Sequence, residues 1–228
     1  RSRPSRSAML QGLSCAAAIG IAVASPGPDS ERACVLGPLD RPALVHVLRD
    51  GSAAVLFDGS RRRAGQVLDL LRLAGARRID VLAIPFDRSY DGAREIAVAF
   101  PVRAILLAPA KTVPESRREL IAFAKSRGID YSIPPDGRPV GHGPFRAARS
   151  ESDWTIGSEN LDLLLRTRDD GTDPDPGRAT LRVRYRAGRT PAGASVRFDA
   201  GETRWESDSA PAADFVRDPA GIWTRADR

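Results

Sequence analysis

A chain of 228 residues, 42% of them hydrophobic and 28% charged, is long enough to bury a full core and too apolar to be disordered throughout. The formal net charge is +6, but Arg1, Arg3 and Arg6 precede the first apolar stretch, and without them 32 basic residues (35 less three) face 29 acidic ones. That excess is too mild to argue nucleic-acid binding from bulk charge. All the basic residues except Lys111 and Lys125 are Arg, a bias that a GC-rich genome explains without any binding surface. Cys15 lies inside the apolar stretch, which leaves Cys34 alone beyond it. A disulfide framework is therefore not expected, and Cys34 reads as a small buried hydrophobe.

In chain order, residues 1–25 are a basic head, then 17 uncharged residues from Ala8 to Ala24, then Ser25 and a Pro-Gly-Pro run. A signal peptide fits, with a small-residue site at Ala22-Val23-Ala24, and so does a short, weakly hydrophobic transmembrane helix; a buried amphipathic helix is the third reading. Either of the first two places the rest of the chain on the extracytoplasmic side, because positive charge stays inside. The chain opens on Arg, and its only methionine is Met9, so it reads as a fragment or a processed form. Residues 26–42 are rich in Pro and charge and read as a linker.

From residue 43 the pattern becomes regular. Ala43 to Leu48 and Ala53 to Phe57 read as strands joined by the turn Arg49-Asp50-Gly51-Ser52, a hairpin. His46, alone among aliphatics, is expected to be structural. Asp58-Gly59 leads to Arg61-Arg62-Arg63, read as a solvated loop or a phosphate clamp. A helix follows from about Gly65 to Leu73, with Val67, Leu70, Leu71 and Ala74 on one face and Gly75 at its C-terminus. Further strands are expected at Ile79 to Ile84 and Ala104 to Leu107, with a short helix between them opening near Asp91. Another helix is expected from Pro114-Glu115 to Ser126, buried through Leu120, Ile121 and Ala124 and ended by Gly128. Short, nearly continuous apolar strands alternating with helices predict an α/β fold with a parallel sheet. Sites in such sheets collect beyond the carboxyl ends of the strands, which singles out the loop Pro85 to Ala93.

Beyond Ile129 the chain turns strand-rich, with candidates at Leu161 to Leu165, Leu181 to Tyr185, Ser195 to Phe198 and Ile222 to Thr224. The loop Asp169 to Gly177 resembles a calcium loop only in composition, since Pro174 and Pro176 break the ligand spacing. Gly141-His142-Gly143 reads as a turn.

The hairpin ALVHVLRDGSAAVLFDG, the phrase LLRLAGARRIDVLAI, the following loop and the phrase FPVRAILLA together resemble the opening of a metallo-β-lactamase-fold domain. In particular they are similar to the extracellular domain of the ComEC family of DNA-uptake membrane proteins. The resemblance covers about 65 residues, Ala43 to Leu107, and extends loosely to Ser126. It implies a four-layer αββα sandwich over residues 43–228, preceded by a signal peptide or transmembrane helix. It also implies a membrane location through the N-terminal segment, with single-stranded DNA and the transmembrane part of a DNA channel as partners.

The metal motif departs from the family. Where its members show His-x-His-x-Asp-His, or Thr-His-x-Asp-x-Asp-His-x-Gly-Gly in the competence branch, this chain reads Ile84-Pro85-Phe86-Asp87-Arg88-Ser89-Tyr90-Asp91-Gly92-Ala93. Only Asp87 and Gly92 match. Proline has no ligand atom, neutral Ser and Tyr hydroxyls are poor zinc donors, and two histidines in the whole chain cannot furnish a two-zinc site. Without the metals that activate water in this fold, the expectation is a degenerate domain with no catalytic residues, no metal and no cofactor, and a binding or structural role. Arg61, Arg62, Arg63 and Arg88 are the candidate phosphate contacts. Asp58, Asp87 and Asp91 are the remaining carboxylates, with Asp87 and Asp91 read as loop-bonding and helix-capping groups. Two alternatives stand beside this: a magnesium- or manganese-dependent nuclease built on those carboxylates, and an exported adaptor unrelated to DNA.

Overall fold

The computed structural model describes residues 30–37, 42–87, 89–151, 153–166, 179–184, 195–200, 203–207 and 212–226. In chain order its elements are β1 (Glu31–Leu36), β2 (Ala43–Val47), β3 (Ser52–Leu56), α1 (Arg61–Leu73), β4 (Arg78–Ile84), α2 (Asp91–Ala99), β5 (Val102–Leu107), α3 (Glu115–Arg127) and β6 (Asp130–Ser132), followed by strands alone. These are β7 (Val140–His142), β8 (Phe145–Ser150), β9 (Asp153–Gly157), β10 (Leu161–Arg166), β11 (Ala179–Arg184), β12 (Ser195–Ala200), β13 (Thr203–Ser207), β14 (Ala212–Arg217) and β15 (Trp223–Arg225).

The strands form two sheets: eight in the order β15-β14-β1-β2-β3-β4-β5-β6, and seven in the order β13-β12-β11-β10-β9-β8-β7. Strands β3 to β6 are parallel neighbours, as expected of strands connected by helices. The β2–β3 hairpin closes through the turn at residues 49–51, where Gly51 has φ +80. Alternation along each central strand divides the core. Val55, Leu82 and Ile105 pack against Val67 and Leu71 of α1, Ile96 of α2 and Leu120 of α3. Leu56, Val81 and Leu106 face Phe145, Ile156, Leu163, Leu181 and Phe198 of the second sheet.

Among the described residues the helices pack on one face of the eight-stranded sheet and the seven-stranded sheet packs on its other face. A four-layer sandwich was expected; no described helix shares a core with the second sheet, whose outward positions hold Leu164, itself buried, with Asp162, Arg182, Arg197 and Asp199. No described helix is long and apolar enough to cross a membrane. The signal peptide or anchor expected over residues 1–25 lies outside the described residues, as does the loop at residues 169–177.

Both long helices end as their glycines dictate. Ala76 N–H reaches Leu71 O and Gly75 N–H reaches Arg72 O; Ile129 and Gly128 do the same to Ala124 and Lys125, with both glycines at positive φ. The helical run starts earlier than expected, at Arg61, so the arginine triplet forms the first turn of α1 rather than a loop. Residues 31–36, expected to be linker, are the strand β1 between β2 and β14, so the folded unit begins before residue 43. Of the segment read as a turn, Gly141 and His142 belong to β7 and only Gly143 turns.

β1 was hidden because its charged residues are buried by pairing. Glu31 is 2% exposed and its carboxylate accepts from His46 Nε2 at 2.8 Å, Asn160 Nδ2 at 3.0 Å and Arg217 Nη1 at 3.3 Å. Asn160 lies between β9 and β10, so this bond ties one sheet to the other. His46 is fully buried, its ring edge-on to Phe145, and its Nδ1 has no hydrogen-bond partner. Burial alone would raise the Glu31 carboxyl, but His46, Arg217 and Asn160 outweigh it and hold it below the usual glutamate value. A carboxylate that holds its proton less tightly when folded stabilises above its unfolded pKa, and that stability drains away as pH falls through the folded value. Urea denaturation of the full chain should therefore show stability falling below about pH 4.5, the ordinary glutamate value. Glu31→Gln should cost about 3 kcal/mol at pH 7 and flatten that acid limb; an unchanged midpoint would contradict the network.

Candidate functional site

The carboxyl ends of β3, β4 and β5 open on one rim, where three loops lead into α1, α2 and α3. The first is pinned by Asp58, 6% exposed, whose Oδ1 accepts from Ser60 N–H at 3.0 Å and from Ser60 Oγ at 2.8 Å. Gly59 has φ +75, and a Cβ there would stand 2.0 Å from Ser89 O. Gly92 donates its N–H to Gly59 O at 2.9 Å, and a Cβ on it would meet Ser60 O at 2.2 Å. The first two loops therefore interlock through backbone, with no space for side chains between them.

This closure buries Tyr90 completely. Its Oη donates to Asp87 Oδ1 at 2.8 Å and accepts from Arg117 Nη1 at 3.3 Å. The Arg117 guanidinium lies 5.6 Å from the Tyr90 ring centre and 3.8 Å from Asp87 Oδ1, with only 4% of its side chain exposed. Burial and the hydrogen bond to Asp87 push the Tyr90 hydroxyl up to about 12, with Arg117 opposing. Arg117 belongs to α3, and nothing in a helix reading ESRRELIAFAKSR separates it from its exposed neighbour Arg118. Only the fold brings it to the rim.

These residues do not fit a zinc pair. The position of the motif's last histidine holds a phenol that keeps its proton, and Asp87 is committed to that phenol and to a fixed cation. Among the described residues no three His, Cys, Asp or Glu side chains are placed to hold a metal ion. Asp91, expected to cap α2, is instead its first residue: Tyr90 occupies the cap and no side chain bonds there. An acid in the first turn still favours the helix through its dipole. Asp58 thus pins the first loop, Asp87 bonds Tyr90, and Asp91 lies in the first turn of α2.

Three of the four candidate arginines are described, and they do not share one surface. Arg61 and Arg62 are exposed, and Arg61 borders an open groove of about 530 Å³ with Asp91, Arg94, Glu95 and Val98. Its Nε is 3.8 Å from Glu95 Oε2. Arg63 is buried, with Nη1 donating to Gln66 Oε1 at 2.8 Å. Arg88 lies outside the described residues.

At the opposite end of the strands, His142 on β7 faces Asp80, Arg103 and Asp130 of the first sheet. Burial lowers its pKa; Arg103 adds to that, while Asp130 and Asp80 oppose it. Asp80 is the extra residue of a bulge between β3 and β4, buried and bonded by Arg78 Nε at 3.3 Å. Cys34 is buried as expected, its thiol donating to Asp214 Oδ1 at 2.9 Å.

Compared with protein-family models and with curated proteins, the chain matches none. The site is therefore defined by its own geometry, within a mixed α/β fold of two large sheets.

Tyr90→Phe removes the hydroxyl that joins Asp87 to Arg117 and should cost about 1–3 kcal/mol in chemical denaturation at pH 7, because the buried Arg117 guanidinium loses that acceptor. A phenol with a raised folded pKa contributes fully below pH 10 and loses that contribution between 10 and about 12. The wild-type alkaline decline in stability should therefore be shallower in the variant. Equal stability of the two proteins at pH 7 would contradict the triad.

Proposed function

We propose that the chain is the extracytoplasmic, non-catalytic domain of a ComEC-like DNA-uptake protein, held at the membrane through its N-terminal segment and serving a binding or structural role. In this reading the domain is a degenerate metallo-β-lactamase-like αββα sandwich. The observation that carries it is the filling of the rim: Tyr90, Asp87 and Arg117 close on one another where the resemblance would have metal ligands. Support for the fold comes from two facing sheets, the parallel run β3-α1-β4-α2-β5 and the loop after β4 at its expected place. The fixed guanidinium of Arg117 supplies beside Asp87 the positive charge that a metal would bring, without a coordination site for water. In this reading none of the described rim residues activates a water for hydrolysis.

Contact with a phosphate backbone needs no metal, and arginine suits it because its planar fork meets phosphate oxygens bidentately. Among the described members of the expected set, Arg61 and Arg62 are exposed at the rim. Two phosphates neutralised on a single strand give a log-log salt slope near about −1.4, from about −0.7 each. Binding of single-stranded DNA by the full chain should show at least that slope across a salt series, and R61A/R62A should reduce it by that amount. No binding at low salt would remove DNA from the proposal, and an unreduced slope would place the contact elsewhere.

A further inference from the structure

Among the described residues the sheets leave four edge strands: β6 and β15 on the first, β7 and β13 on the second. Three of these have three residues each, whereas β13 has five, Thr203-Arg204-Trp205-Glu206-Ser207. An edge strand offers a row of backbone donors and acceptors to another strand, and proteins normally blunt it with proline, lysine or a bulge. β13 has neither residue, and its ladder with β12 runs without a register shift.

The sequence of β13 is a chemical palindrome. Hydroxyl, cation, aromatic, anion and hydroxyl follow in order, so an antiparallel copy centred on Trp205 sets each group opposite its complement. Arg204 meets Glu206 of the second copy twice, Thr203 meets Ser207 twice, and Trp205 meets itself. Opposite charges, hydroxyl pairs and aromatic pairs are the favourable cross-strand combinations.

The match extends into the sheet. On β12, Arg197 is the register partner of Glu206 and Asp199 that of Arg204. Asp199 Oδ1 lies 3.2 Å from Arg204 Nε, while among the described residues no cation stands within ion-pair distance of Glu206. Pairing the two copies produces the row Arg197, Glu206, Arg204, Asp199, alternating in sign across the axis, and it gives Glu206 a cation. On the other face, Phe198 and Trp205 of each copy continue one aromatic row. An open groove of about 300 Å³ bordered by Arg197, Phe198, Arg204, Trp205 and Glu206 flanks the strand.

We propose that two copies of this chain associate through β13, antiparallel about a two-fold axis at Trp205, joining their seven-stranded sheets into one. Such an interface is isologous, so one surface serves both partners. Five residue pairs make less contact than a permanent dimer needs, so the association is reversible and depends on concentration.

Sedimentation velocity of the full chain over a concentration series at low salt tests this. The wild type should pass from monomer to dimer as concentration rises. R204E and E206R, each folded by circular dichroism, should each dimerise at least about tenfold more weakly, because like charges then face each other twice. A one-to-one mixture should recover the dimer, since the reversed charge of one chain meets the unreversed charge of the other. Where a reversal unfolds the chain, R204Q and E206Q should show a smaller loss in the same direction. A wild type that stays monomeric overturns the proposal. So does a dimer that the substitutions leave intact, or a mixture of folded variants no stronger than either alone.

Discussion

The contact between Gly59 and Gly92 governs the rim. Each glycine lies where a Cβ would overlap a backbone carbonyl of the other loop, at 2.0 Å for Gly59 and 2.2 Å for Gly92. Bringing backbone to backbone draws the start of α2 against the start of α1, and the loop after β4 then has only one way to close. Tyr90 goes under it, Asp87 meets the phenol, and Arg117 arrives from α3 to lie across the ring. The task of Gly92 here is steric.

The two ends of the sheets solve the problem of buried charge differently. At the rim the charged groups belong to the parallel strands' own connections and join helices α2 and α3 to the first sheet. At the far end Glu31 and Asn160 bond across the layer boundary, and His142 of β7 stands among Asp80, Arg103 and Asp130. A buried carboxylate with three donors around it is costly to leave unpaired and specific in what it accepts. It fixes how the second sheet sits on the first, where an apolar core alone would tolerate sliding. The apolar core does the larger part of the holding, through Leu56, Val81, Phe145, Trp154, Leu163 and Phe198.

The parallel half was legible because its strands are covered on both faces and read as continuous apolar runs, punctuated by Gly75 and Gly128. The strands β1, β8, β9, β13 and β14 were not. Each carries between two and four polar or charged residues, and several lean on Ala and Arg, which an Arg-rich composition scatters everywhere. β1 is the sharpest case: Glu31 and Arg32 read as linker, and the residues that make Glu31 burial acceptable are His46, Asn160 and Arg217, far along the chain. For the site, that positions 85, 89 and 90 carry no good zinc ligand was readable from Pro85, Ser89 and Tyr90. That Tyr90 would be sealed and Arg117 buried was not, because helix periodicity offers no reason for a cation at position 117 to turn inward. The arginine triplet misled for the opposite reason: adjacent helical residues point in different directions, so Arg63 packs inside while Arg61 and Arg62 project.

The donors at the rim are bonded to one another, which makes it a closed structural joint. Elemental analysis of the purified full chain, after equilibration with zinc and removal of the unbound metal, should therefore find no stoichiometric zinc. One or two zinc ions per chain, lost in Asp87→Ala, would contradict it.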